Sequence, residues 1–211
     1  MPRDSAVWHP EALGDMLWET LITMERASLL LPFYLGGGTG LALQLGHRRS
    51  HDLDFFTADF FEPDSLLPQL KQLGSVSVVA KSAETLHVEF RGAKVSFLRY
   101  AYPELLPALL FRGVRVADGR EIACMKISAI AGRGAKRDFV DLYSASLRYG
   151  LPQLVQLFRK KYAETRYSEL HVSKALMYFD DAEKDPPPDL LTPTSWEEVK
   201  QFFLGEAPKL F

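Results

Sequence analysis

Apolar and polar positions alternate between two periods along this chain, and the change from one to the other divides it. Leu13, Leu17, Leu21, Met24 and Leu29 recur close to the helical period and predict a helix within residues 10–31. Phe33–Leu35 reads as a short strand. Leu41–Leu45 reads as an apolar helix opened by a glycine run and stopped at Gly46. Asp52–Thr57 alternates as a strand, Pro63–Leu73 is helical up to Gly74, and Val76–Ala80 is a further strand. The segments 86–90 and 95–98 form a hairpin, with Val88, Phe90, Val95 and Phe97 on one face and His87, Glu89, Lys94 and Ser96 on the other. Residues 103–112 read as a short helix or a loop, and Val114–Val116 as a last strand. After Asp118 the period becomes helical: 122–132, 136–148, 152–164 and 168–181 are helices. A spacer containing Pro186, Pro187 and Pro188 follows, then a helix over Trp196–Leu204 capped by Thr194 or Ser195. There is no internal repeat. The pattern predicts an α/β (α+β) half over residues 1–117 and a helical half over 118–211.

The stretch Tyr34–Phe56, YLGGGTGLALQLGHRRSHDLDFF, concentrates the chemistry. On the strand that closes it, Asp52 and Asp54 share one face while Leu53 and Phe55 point to the core. Two carboxylates on one strand face repel each other unless a cation sits between them, and hard oxygen ligands suit Mg²⁺ or Mn²⁺. The run Gly36–Gly40 lets backbone amides converge at a helix N-terminus, an anion cradle to which Gly37, Gly38 and Thr39 contribute. A phosphate-binding P-loop would need Lys after its last glycine, where Leu41 stands. A dinucleotide fingerprint would need a glycine or alanine where Leu41 stands as well. An anion cradle beside paired carboxylates describes a site for a metal-bound nucleoside triphosphate.

Gly-Gly-Thr, twelve residues, then Asp-Leu-Asp-Phe resembles the signature of the polymerase-β-like nucleotidyltransferases. The fuller string is similar to the AbiEii/AbiGii-type toxin branch, the nucleotidyltransferase partner in type IV toxin–antitoxin and abortive-infection systems. The resemblance returns at Met125–Tyr143. It implies a mixed sheet with flanking helices and transfer of a nucleoside monophosphate from an NTP to an RNA 3′ end, tRNA included, or to a protein hydroxyl. It also implies an antitoxin protein as partner. Arg48 and Ser50 match the family string and are candidates for the triphosphate; the alternative for Arg48–Ser50 is a solvated basic link. The superfamily takes a third carboxylate from a later strand, and here that place offers Ser96. This opens two other readings: a nucleotide- or partner-binding module without turnover, and a kinase-like phosphotransferase. If Gly92-Ala93 is the hairpin turn, Glu89 lies opposite Ser96 and becomes a candidate metal ligand or base; otherwise it pairs with Lys94 or Arg91 on a solvated face.

Lys126 is the only charge between Glu121 and Arg133 in an apolar helix. It serves phosphate oxygens or a carboxylate, or else carries its charge to the helix edge. Asp138 and Asp141, three apart on one helix face, are candidates for orienting Lys126 or Arg133 or assisting the acceptor; their alternative is structural pairing. Composition changes little of this. The chain has 211 residues, 47% of them apolar, with one cysteine and a net charge of −2. That describes a globular chain without an internal disulfide or a cysteine-rich zinc pattern. No run reaches the roughly 18–20 apolar residues of a membrane span, and the N-terminus lacks a signal-peptide core, so a cytoplasmic protein is expected. Charge is uneven: −4 over residues 1–111, +7 over 112–166 and −5 over 167–211. The basic middle faces a polyanion or is paired internally with its acidic flanks.

Overall fold

The computed structural model describes residues 7–210; the reading of the extreme N-terminus falls largely outside them. A 3₁₀ turn at Pro10–Ala12 precedes α1 (Asp15–Arg26). The strands are β1 (Tyr34–Leu35), β2 (Asp52–Thr57), β3 (Val76–Ser82), β4 (Thr85–Phe90), β5 (Ala93–Arg99), β6 (Leu109–Phe111) and β7 (Val114–Val116). Helices α2 (Gly37–Leu45) and α3 (Pro63–Leu73) lie among them. The chain ends in α4 (Gly119–Gly132), α5 (Lys136–Tyr149), α6 (Leu151–Lys161), α7 (Glu169–Ala175) and α8 (Trp196–Glu206).

The strands form one mixed sheet in the order β3-β4-β5-β2-β1-β7-β6. β2 runs parallel to β5 and antiparallel to β1, and β1 runs parallel to β7. The period-2 pattern decides what each face carries. Leu53, Phe55, Leu86, Val88, Phe90, Val95 and Phe97 are buried together with Leu17, Leu21 and Met24 of α1 and Leu66 and Leu70 of α3. The opposite face is apolar where Tyr34 and Phe56, with Leu98 of β5 beside Phe56, meet a second core built from α4 to α8. Helix α2 lies between the two cores: Leu41 belongs to the helical one and Leu43 to the sheet one. Beyond Phe56, that face carries Asp52 and Asp54, then Lys94 and Ser96, then His87 and Glu89.

Three local expectations change. The segment 103–112, expected as a short helix or a loop, is irregular over 103–108 and then enters β6. Pro103 and Pro107 break a helical run there, and a short apolar stretch does not distinguish the two periods by itself. Helix α7 stops at Ala175 instead of reaching Asp181, with a 3₁₀ turn at Ala182–Lys184. The hairpin turns at Arg91-Gly92, both at positive φ (51° and 87°), so Phe90 pairs with Ala93 and Glu89 with Lys94. Positive φ at both central residues matches the right-handed twist of a two-residue hairpin.

Candidate nucleotide and metal site

Strand β2 presents Asp52 and Asp54 on the polar face as expected, with Leu53 and Phe55 fully buried behind them. The glycine run lies directly alongside. The Gly36 amide donates to the Asp54 carbonyl (2.9 Å). Gly37, at φ +57°, sits so close to the carboxylate that an added Cβ would lie 2.7 Å from Asp54 Oδ2. Gly36 caps α2 and offers no side chain to its first amides, so the amide end of the helix opens beside the two carboxylates.

The electrostatics of the pair fit a cation site. Burial pushes the Asp54 carboxyl up from its ordinary value, and the neighbouring Asp52 pushes it further. A hydrogen bond from Ser96 and the charges of Lys126 and Arg137 pull the other way. No cluster of three or more His, Cys, Asp or Glu side chains able to hold a metal occurs among the described residues. Two carboxylates completed by substrate phosphates and water are nonetheless how Mg²⁺ is ordinarily held, so the pair fits that ion.

Behind the pair lies a buried network. Lys126 is only 6% exposed and bridges Asp138 Oδ1 (2.7 Å) and Asp141 Oδ2 (2.6 Å). Arg48 donates through Nε (2.6 Å) and Nη2 (2.9 Å) to the two oxygens of Asp141, and His47 Nε2 lies 2.7 Å from Asp141 Oδ1. Arg133 donates to Asp138 Oδ2 through Nη2 (3.1 Å). Burial opposes the charge of Asp141, but Lys126 and Arg48 outweigh it and hold the carboxyl well below the usual range. Burial likewise opposes the charge of Lys126, and Asp141 and Asp138 hold its pKa above the ordinary value.

Several candidates therefore stand elsewhere than expected. Arg48 is buried against Asp141, and a Cβ on Gly38 would run into its guanidinium, so Gly38 makes room for an arginine. The link 46–51 is no solvated loop. Ser50 N donates to Ala12 O (2.9 Å), Arg49 N to Asp189 O (2.8 Å) and Leu191 N to His47 O (2.9 Å), which straps the link between two chain segments. The Ser50 hydroxyl is buried 2.6 Å from that of Thr39, which also bonds the Asp52 carbonyl. These two hydroxyls tie α2 to β2, and neither reaches the open cradle. Glu89 is exposed opposite Lys94, two strands away from Asp52, and leaves the set.

The structure adds Arg137 to the site. Its Nη1 approaches Asp52 Oδ2 at 3.5 Å with the side chain half exposed. Arg137 and Arg133 line a cavity of about 550 Å³ that opens on Asp52 and is walled by Pro186–Pro188. The sequence held a signal for Arg137: a basic pair in the first turn of α5 opposes the helix dipole, which calls for an anionic partner.

The family described as "Nucleotidyl transferase AbiEii toxin, Type IV TA system" matches residues 21–105, which contain the glycine run and both aspartates. A protein of Aquifex aeolicus (strain VF5), aq_aa25, is 40% identical over 191 residues, covering 88% of this chain and 91% of that one. The chain belongs to the AbiEii nucleotidyltransferase toxin family. Solved structures share the fold at low identity. JHP933 from Helicobacter pylori has a TM-score of 0.55 at 18% identity, over 94% of this chain and 93% of that one. MenT4, the nucleotidyltransferase toxin Rv2826c of Mycobacterium tuberculosis H37Rv, has 0.57 at 17%, over 91% and 84%. The sequence-based resemblance, the mixed-sheet fold class and the assignment as a nucleotidyltransferase enzyme thus hold.

Two predictions follow from the packing. Gly37→Ala forces a left-handed residue to carry a Cβ against Asp54; it is expected to cost about 1–2 kcal/mol in backbone strain alone and to displace the carboxylate, read by denaturant unfolding and by nucleotide transfer. Lys126→Met leaves two buried carboxylates without their shared cation, a loss of about 3–5 kcal/mol. The network also sets an acid limit. Asp141 has a folded pKa below its unfolded value of about 3.9, so its stabilisation is complete above that value and is lost as pH falls through the folded pKa. Asp141→Asn should lower the melting temperature at pH 7 and flatten its fall below about pH 4.

Proposed function

We propose that this nucleotidyltransferase binds an NTP with Mg²⁺ or Mn²⁺ and transfers its nucleoside monophosphate to a hydroxyl of an RNA 3′ end, tRNA included, or of a protein. The observation that carries the reading is the adjacency of Asp52 and Asp54, on one strand face, to the uncapped amide end of α2. Asp52 and Asp54 would hold the cation. The amides of Gly37, Gly38 and Thr39 face the phosphates, and Arg137 and Arg133 add positive charge from the cavity side. Bound metal supplies charge neutralisation and in-line alignment of the attacking and leaving oxygens.

The acceptor oxygen forms a bond to the α-phosphorus as the bond between that phosphorus and the α–β bridging oxygen breaks. Pyrophosphate leaves with the electron pair, and the hydroxyl proton passes to solvent. Lys126 and Asp138 act from behind: Asp138 fixes both Lys126 and Arg133, and the charge of Lys126 favours the ionised form of Asp54. In the cell the protein would act in the cytoplasm as the toxin of a type IV pair, restrained by an antitoxin protein. No helix among the described residues is long and apolar enough to cross a membrane, in keeping with that reading.

Ser96 beside Asp54, where the superfamily places an acid, favours one second reading, a nucleotide-binding module without turnover. Incubation with each of four α-labelled NTPs, Mg²⁺ and either total RNA or the protein alone distinguishes them. Label on RNA or on protein with release of pyrophosphate supports transfer, NDP release means a phosphotransferase, and no product leaves the binding module. Asp52→Asn and Asp54→Asn are expected to reduce transfer to background. Because burial and Asp52 make ionisation of Asp54 unfavourable in the folded chain, Asp54→Asn should do so without lowering the melting temperature.

A further inference from the structure

Three strands place three side chains in one row on the polar face of the sheet. In the parallel register of β2 and β5, Asp54 lies beside Ser96; in the antiparallel register of β5 and β4, Ser96 lies beside His87. His87 Nδ1 is 2.9 Å from Ser96 Oγ, and Ser96 stands beside Asp54 in the parallel register, where as a donor it favours the ionised carboxylate. With Ser96 donating to Asp54, a count of hydrogens sets the rest of the chain. A serine hydroxyl has one hydrogen, and a carboxylate only accepts, so Ser96 spends its hydrogen on Asp54. Its oxygen must then receive the second bond, which requires the hydrogen to sit on His87 Nδ1. The sheet fixes the face on which the imidazole stands: its neighbours Leu86 and Val88 are buried on the other side, so the His87 Cβ projects on the side of the row.

Without His87 the Ser96 hydroxyl can turn about its Cβ–Oγ bond. With His87 occupying one lone pair, its hydrogen is directed at Asp54. We infer that His87 is a positioning residue that, through Ser96, orients the Asp54 carboxylate for divalent metal. The inference rests on the reading that Asp52 and Asp54 hold the cation. It assigns work to two polar side chains, Ser96 and His87, that stand next to Asp54 on this sheet face. Partners in the second layer around a metal ligand typically set affinity by about 10–100-fold.

The test measures Mn²⁺ binding by the loss of the free-ion electron paramagnetic resonance signal, on the full chain, with an equimolar mixture of the four α,β-methylene NTPs. His87→Leu and Ser96→Ala are expected to raise the Mn²⁺ dissociation constant by about tenfold. His87→Asn keeps an amide N–H near the position of Nδ1–H, and Ser96→Thr keeps the hydroxyl; both should return binding to within about twofold of the parent chain. A role in strand packing alone would not be rescued by Asn, which fills less space than Leu. Equal weakening by His87→Asn and His87→Leu therefore overturns the inference, as does parent-like binding by His87→Leu. If His87→Leu does not fold, the Ser96→Ala and Ser96→Thr pair decides by the same criterion. Asp52→Asn separates the two layers of the argument. If it abolishes Mn²⁺ binding while His87→Leu and Ser96→Ala leave it unchanged, only the positioning role falls. If it too leaves binding unchanged, or the parent chain binds no Mn²⁺, the metal reading falls and the inference with it.

Discussion

The carboxylate of Asp141 is fully buried and holds the two halves of the chain in register. It takes bonds from His47 and Arg48 on the link into β2 and pairs with Lys126 of α4, while itself standing on α5. The link into β2 and the two consecutive helices α4 and α5, far from it in sequence, are thereby fixed at one point. Such a cluster need not add net stability, because desolvating the charges offsets most of their attraction. What it does is penalise every other docking of the helical half, since any slip leaves a buried charge unpaired. Asp138, one turn earlier on α5, repeats the arrangement with Lys126 and Arg133. With α5 fixed in this way, Arg137 can face the other direction and approach Asp52.

The parts of the site legible in the sequence were those governed by backbone geometry. Strand periodicity put Asp52 and Asp54 on one face, and a glycine run before an apolar helix marked a close backbone approach, realised at Gly37 against Asp54. The order of helices and strands was equally plain, because long amphipathic segments state their period. The element missed, β6, is three residues long, too short to state one.

The charged residues were harder because a sequence names a charge without naming its partner. Arg48 reads as a phosphate ligand or part of a solvated link, and Lys126 as serving phosphate or a carboxylate; Arg48 is spent on Asp141, and Lys126 takes the carboxylate alternative with Asp138 and Asp141. The difference between a solvated arginine and a buried one lies in segment 189–191, which straps the link from the far end of the chain, and no local pattern announces that pairing. The hairpin failed for another reason. A turn at Gly92-Ala93 and one at Arg91-Gly92 both keep Val88, Phe90, Val95 and Phe97 on the core face, so hydrophobic alternation does not choose between them. The two-residue shift passes the place beside Ser96 from Glu89 to His87.

The charges around the aspartates suggest why metal and nucleotide would enter together. Asp52 and Asp54 oppose each other's ionisation, and Arg137 and Arg133 stand nearby with half or more of their side chains exposed. A divalent ion arriving alone relieves the carboxylates and repels the arginines. A triphosphate arriving alone satisfies the arginines and the α2 amides and repels the carboxylates. Only the two together leave each charge facing an opposite one. Whatever lowers the free energy of binding one must by linkage do the same for the other. Arg137 beside Asp52 itself supplies part of the positive charge that the cation would bring. It thereby offsets part of the repulsion between two adjacent carboxylates on one strand, and the network anchored at Asp141 holds the helix that carries this arginine.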